Sequence, residues 1–185
     1  RSTTPGTRKD ALRAVALIFR NLDDAYEDGT NLEARRNMLK ASYYAGCAFT
    51  KSYVGYVHAV AHSLCGEYNV PHGLANAILL PFVLEAYGPA IYKKLSTLAV
   101  AAGLADENTP QDKAAIRFID AIKAMKKRFR IGNTISAIRK EDIPKLAHYA
   151  DKEANPLYPV PVLMDARKLE SFYYQLMKTS DNDSM

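Results

Sequence analysis

Three of the four histidines in this 185-residue chain, His58, His62 and His72, lie within one stretch, GYVHAVAHSLCGEYNVPHGLANAILLP, running from Gly55 to Pro81. Histidine is the commonest metal-ligating side chain and titrates near neutrality, so the pattern suits binding of a divalent metal or transfer of a proton. His58 and His62 are four residues apart, which in a helix puts both imidazoles on one face, a turn apart. Cys65, Gly66, Asn69 and Pro71 then predict a reversal before His72. If the flanking segments are antiparallel helices, His72 meets His58 across that turn. Taken singly, each histidine has an ordinary alternative as a hydrogen-bonded core or surface residue. Three around one turn weigh toward a site, although the spacing lacks the glutamate that makes H-E-x-x-H diagnostic.

The elements that must position these residues read as helices throughout. Apolar residues recur at helical spacing from about Lys9 to Glu27, after a polar, breaker-rich Arg1–Gly6 expected to be loose. Thr30 and Glu33 suggest a capping box for a second helix, whose buried stripe would be Ala34, Met38, Ala41, Ala45, Ala48 and Phe49. Its small residues suit a place beside the histidine helix, expected over Tyr53–Leu64 with the turn at Cys65–His72. Leu74 to Tyr87 is apolar on nearly every side and belongs in a bundle centre, with Pro81 expected to kink it or end it early. Asn76, four residues beyond His72, serves either the site or a neighbouring backbone group.

Gly88-Pro89 restarts the chain, and a helix on Ile91, Leu95, Leu98, Ala99 and Ala102 closes at Gly103. Thr109-Pro110 starts another that runs to about Arg130, with Gly132 at the C-terminal cap position. A short helix over Lys140–Lys152 carries His148, read as an ordinary surface or packing residue. Asn155–Pro161 is loop. Asp165 caps a final helix with core residues Leu169, Phe172, Tyr173 and Leu176, before a polar 178–185 expected to fray.

Composition sets bounds. Hydrophobic residues at 48% and charged ones at 24% suit a globular fold, and no apolar run is read as approaching the roughly 18 residues a bilayer span needs. The net charge of +5 concentrates in Lys123, Lys126, Lys127, Arg128 and Arg130 at a helix end, where cations complement the dipole. No aromatic-interleaved stripe accompanies them, so no nucleic-acid partner is expected. Cys47 and Cys65 make no disulfide framework, which points to a reduced, cytoplasmic chain.

The run HAVAHSLCGEYNVPHGLANAILLP closely resembles the C-terminal-domain signature of the iron-containing alcohol dehydrogenases, and AGCAFTKSYVG and NPLYPVPVLMDARKLESFYYQLM extend the resemblance over nearly the whole chain. It implies an all-α fold, a multi-helix bundle in which residues 1–185 form a single helical metal-binding domain. It further implies His58 and His72 as ligands of a divalent metal, Fe2+ or Zn2+, and His62 as a catalytic proton relay near substrate and nicotinamide. Tyr158, in the loop before the last helix, would lie near the cleft.

Two family features lie outside the chain as given: the D-x3-H motif that supplies the other two metal ligands, and a glycine-rich N-terminal domain that binds NAD or NADP. Cys65 stands where the family usually has glycine. The chain is therefore expected to be the C-terminal piece of an enzyme that interconverts small alcohols with aldehydes or ketones, inactive alone and a homo-oligomer when joined to its first domain. Two other readings stay open: a non-catalytic helical binding module, and a small structural zinc site on His58, His62, Cys65 and His72, which would strain one helical turn with three ligands.

Overall fold

A computed structural model of the chain describes residues 3–177. Helix α1 (Pro5–Glu27) opens with a capping box. The Thr4 hydroxyl accepts from Thr7 N–H and the Thr7 hydroxyl from Thr4 N–H, with Pro5 in the first turn. From Thr4 onward the expected loose start is thus a helix cap and a first turn. The tail expected to fray, 178–185, lies outside the described residues.

Among the described residues there are eight α-helices, two 3-10 turns and one isolated bridge, between Ile135 and Met177. The fold is all-α. After α1 come α2 (Leu32–Ser52), α3 (Tyr56–Tyr68), α4 (His72–Tyr87) and α5 (Tyr92–Ala101). They are followed by α6 (Gln111–Arg128), α7 (Ile143–Ala154) and α8 (Ala166–Leu176). The 3-10 turns occupy Gly88–Ile91 and Lys140–Asp142.

The chain forms two compact units, Arg1–Tyr53 with Pro89–Asp120, and Val54–Gly88 with Ala121–Met185. In the first, α2 packs along α1, and α5 also meets α1. Phe19 and Phe118 meet there with ring centroids 5.5 Å apart and planes tilted by 38°. Asn31 caps α2 through Ala34 N–H, while Thr30 turns its own N–H and hydroxyl to the Asp28 carboxylate, so the expected Thr30–Glu33 box does not form. Phe49, expected in the buried stripe, is 51% exposed. Thr109 bonds Asp106, and the carbonyl that starts α6 is Pro110's.

The second unit holds the histidines. Its core gathers Tyr56, Val60 and Leu64 of α3, Ile78, Leu79 and Val83 of α4, Leu146 and Ala150 of α7, and Leu169, Phe172, Tyr173 and Leu176 of α8. α3 lies against α4 and α7, and α8 against α7. Asp165 caps α8 through Lys168 N–H, as its position predicts.

Three helix ends differ from expectation. The break before α3 falls at Tyr53, which takes φ +64°, and Gly55 is the residue that caps α3. Cys65 and Gly66 stay helical, and Asn69, in the left-handed conformation asparagine tolerates, ends α3 four residues later than expected. At the end of α6, Arg130 takes the left-handed position at φ +56°. Ile131 N–H closes on Lys126 O and Arg130 N–H on Lys127 O, the Schellman pattern, so Gly132 is not the cap.

Pro81 neither ends nor shortens α4, which runs through it to Tyr87. One turn back, Lys126 Nζ lies 3.4 Å from Ile78 O. α4 is covered less evenly than its composition suggests, Leu74 being 39% exposed. By length and composition, the helical run His72–Ala101 is sufficient to cross a membrane, contrary to the sequence reading that no such run exists. Core helices have the same property, and α4 buries Ala75, Ile78, Leu79 and Val83 in the second unit's core.

Asp142 ties the 3-10 turn to α3. Its carboxylate accepts from Tyr68 OH and from Arg139 Nε, each at 2.8 Å. The Tyr68 bond first, then Arg139, hold the Asp142 carboxyl below the usual carboxylate range. A depressed carboxyl stabilises the fold above its unfolded pKa and loses that contribution as pH falls through the folded one. Asp142→Asn should therefore give a flatter fall in urea midpoint between about pH 5 and 2 than the parent chain. Parallel curves would show that the Tyr68–Asp142 link carries no folding free energy.

Candidate functional site

α3 places His58 and His62 on one face, and the reversal at Asn69–Pro71 returns His72 to them as the first residue of α4. The ring centroids lie 5.5 Å apart for His58–His72, 5.2 Å for His62–His72 and 5.9 Å for His58–His62. Sequence spacing thus brings all three together, and the His62 and His72 rings stack at 23°. His148 is elsewhere, exposed beside Tyr149.

Electrostatics sort the three. Burial pushes the His58 imidazole below its ordinary value. The neighbouring His62 and His72 push the same way, and the Glu153 carboxylate pulls modestly back. His58 is therefore held neutral, the form that ligates metals. His62 is the more open, with 42% of its side chain exposed. Its Nδ1 is 2.7 Å from Glu153 Oε1, which also accepts from Tyr158 OH at 2.7 Å. Glu153 was missed by the sequence reading: it sits near the end of α7 in a run of charged residues, 91 positions from His62, and no local spacing flags it. Tyr158, expected near the cleft, reaches the histidine cluster through Glu153.

Asn76 bonds a backbone group, one of the two alternatives, and also reaches the His72 ring. Its Nδ2 donates to the His72 carbonyl at 3.0 Å and lies 2.9 Å from His72 Nε2, while its Oδ1 is buried with no partner. Cys65, one of the four residues of the zinc alternative, packs against the apolar core, and burial pushes its thiol up.

These residues fit a divalent metal in kind. Two imidazoles suit iron or zinc, one is held neutral, and a buried polar atom beside His72 lacks a partner, as happens where a site is built around an occupant. Among the described residues, no three His, Cys, Asp or Glu side chains gather closely enough to hold an ion. A metal at His72 must use the ring nitrogen Asn76 leaves free or displace the amide.

Residues 1–177 match the C-terminal part of the Fe-containing alcohol dehydrogenase family. The chain belongs to that family. Among its relatives, the 1,3-propanediol dehydrogenase of Citrobacter freundii is 38% identical over 157 residues, which cover 84% of this chain and 41% of that protein. A crystal structure of a 1,3-propanediol oxidoreductase superposes with TM-score 0.88 at 34% identity, covering 96% of this chain and 47% of that one. The sulfoacetaldehyde reductase of Bifidobacterium kashiwanohense, solved in complex with NAD+, superposes with TM-score 0.79 at 27% identity, over 96% and 45%. The chain thus spans less than half the length of these members of the dehydrogenase family.

Proposed function

We propose that the chain is the metal-binding helical half of an NAD(P)-dependent dehydrogenase that interconverts alcohols with aldehydes or ketones. The observation that carries this reading is the meeting of three imidazoles, with His58 and His72 at 5.5 Å, in a chain that belongs to the Fe-containing family. A relative solved with NAD+ supports the cofactor class.

His58 and His72 would hold the metal, iron or zinc. When bound, it supplies Lewis-acid polarisation of the substrate oxygen. The nicotinamide, carried by the half of the protein outside this chain, supplies the hydride acceptor. His62 would stay off the metal. With Nδ1 on Glu153, its Nε2 is the nitrogen left to take the alcohol proton and pass it to the solvent its ring already reaches.

The test compares the 185-residue chain with the full-length protein that contains it. Both are loaded with Fe2+ or Zn2+ and given a short primary alcohol or diol with NAD+ or NADP+. Reduced nicotinamide should form with the full-length protein and not with the chain alone. Turnover by the isolated chain at an enzyme-like rate, or an inert full-length protein across these combinations, would contradict the reading.

A further inference from the structure

Glu153 occupies an unrewarding place for a carboxylate. It lies in the last turn of α7, where the helix dipole favours cations, so it does little for its own helix. What it does instead is bind across the fold: one oxygen, Oε1, takes both His62 Nδ1 and the Tyr158 hydroxyl at 2.7 Å. Burial, and after it Glu153 itself, pushes Tyr158 up to about 12, so its hydroxyl remains a donor throughout the neutral range. A carboxylate approached by a permanent donor is itself held in place. An ionised carboxylate has only lone pairs to offer, so the nitrogen of His62 facing it must carry the proton.

We propose that Glu153, steadied by Tyr158, is a positioning residue that fixes His62 in the Nδ1–H tautomer, with its ring stacked on His72 and its Nε2 lone pair left open to the site. The inference rests on the proton-relay role given to His62 above and extends it to a residue 91 positions away. Without this restraint an imidazole 42% exposed would turn about its side-chain torsions and exchange tautomers, and the lone pair would face the site only part of the time. The arrangement follows the general logic in which an acidic partner on one imidazole nitrogen sets the chemistry of the other.

Two measurements test it. In the 185-residue chain, side-chain 15N spectra recorded where the His62 ring is neutral should show its proton on Nδ1 and not on Nε2. Glu153→Ala should lose that signature, while Glu153→Gln, whose carbonyl still accepts, should keep most of it. In the full-length dehydrogenase, Glu153→Ala should lower kcat by about 10–100-fold with KM within about twofold, metal content unchanged and substantial recovery in Glu153→Gln. Tyr158→Phe, which leaves the His62 contact in place, should give a smaller loss.

An unchanged His62 tautomer in Glu153→Ala would overturn the proposal. So would an unchanged kcat in an enzyme that His62→Ala slows, or loss of metal on the scale of His58→Ala, which would make Glu153 a ligand. If His62→Ala itself leaves kcat intact, the relay role fails, and the proposal falls with respect to catalysis. The 15N spectra still decide separately whether Glu153 sets the tautomer.

Discussion

Replacing His58 or His72 with alanine in the full-length protein is expected to strip the metal and lower kcat by roughly a thousandfold or more. The size follows from what a bound divalent ion contributes, several kcal/mol of charge stabilisation at the reacting oxygen, at about 1.4 kcal/mol per tenfold in rate. The two positions should behave alike although they are built differently. His58 rises from the middle of a core helix and is held neutral by burial and by its neighbours' rings. His72 opens α4, with Asn76 on its ring nitrogen and carbonyl. His62→Ala should part company with both. Its Nδ1 is committed to Glu153, so it should retain metal and lose about a hundredfold in kcat, within the range of a general acid–base group. Assays at saturating alcohol and nicotinamide, with metal analysis of each purified variant, check the pattern. Equal metal loss in all three variants would mean that His62 is a ligand as well.

The second large effect concerns stability. Tyr56, the first residue of α3, is fully buried and sits at a hydrogen-bond junction. Its hydroxyl donates to Asn155 Oδ1 at 2.8 Å and accepts from Met164 N–H at 2.9 Å. Asn155 in turn donates to Met164 O and to Asp151. One phenol thus joins the start of the histidine helix to the end of α7 and to the loop that leads into α8. Tyr56→Phe keeps the ring but orphans a buried amide and a side-chain carbonyl, at a cost of about 2–3 kcal/mol. Tyr56→Ala adds a large cavity and should cost about 3–5 kcal/mol or more. For a chain of this size each kcal/mol lowers Tm by roughly 2–4 °C, so thermal melts separate the two variants. A Tyr56→Phe midpoint equal to the parent's would mean the junction is satisfied without the hydroxyl. The effect should reach the site too, because Asn155 lies between Glu153 and Tyr158 in the chain.

What the amino-acid order made legible was periodic. The α8 core face, Leu169, Phe172, Tyr173 and Leu176, and its Asp165 cap follow from helical spacing and a short polar side chain, and they appear where expected. The meeting of His58, His62 and His72 was legible for the same reason: an i, i+4 pair, then residues that reverse the chain. Helix ends were harder. Tyr53 and Arg130 adopt positive φ, a conformation that local rules assign to glycine. Surrounding structure selects them, and adjacent residues carry no sign of it. Thr30 donates its N–H and hydroxyl to the Asp28 carboxylate, and Asn31 takes the helix N-terminus in its place. Glu153 was beyond local reading altogether, since its role arises from packing α7 against α3. Charged helix ends are ordinarily solvated, so nothing in its neighbourhood distinguished it.

The most direct test of the central claim is where the metal sits. Anomalous scattering at the iron and zinc edges from crystals of the full-length, metal-loaded protein locates the ion independently of any rate. The predicted result is one ion bonded to a ring nitrogen of His58 and one of His72, with His62 nearby, unbonded and still held by Glu153. An ion bound away from these two rings, or one bonded to His62 in place of either, would contradict the proposal that this chain holds the metal.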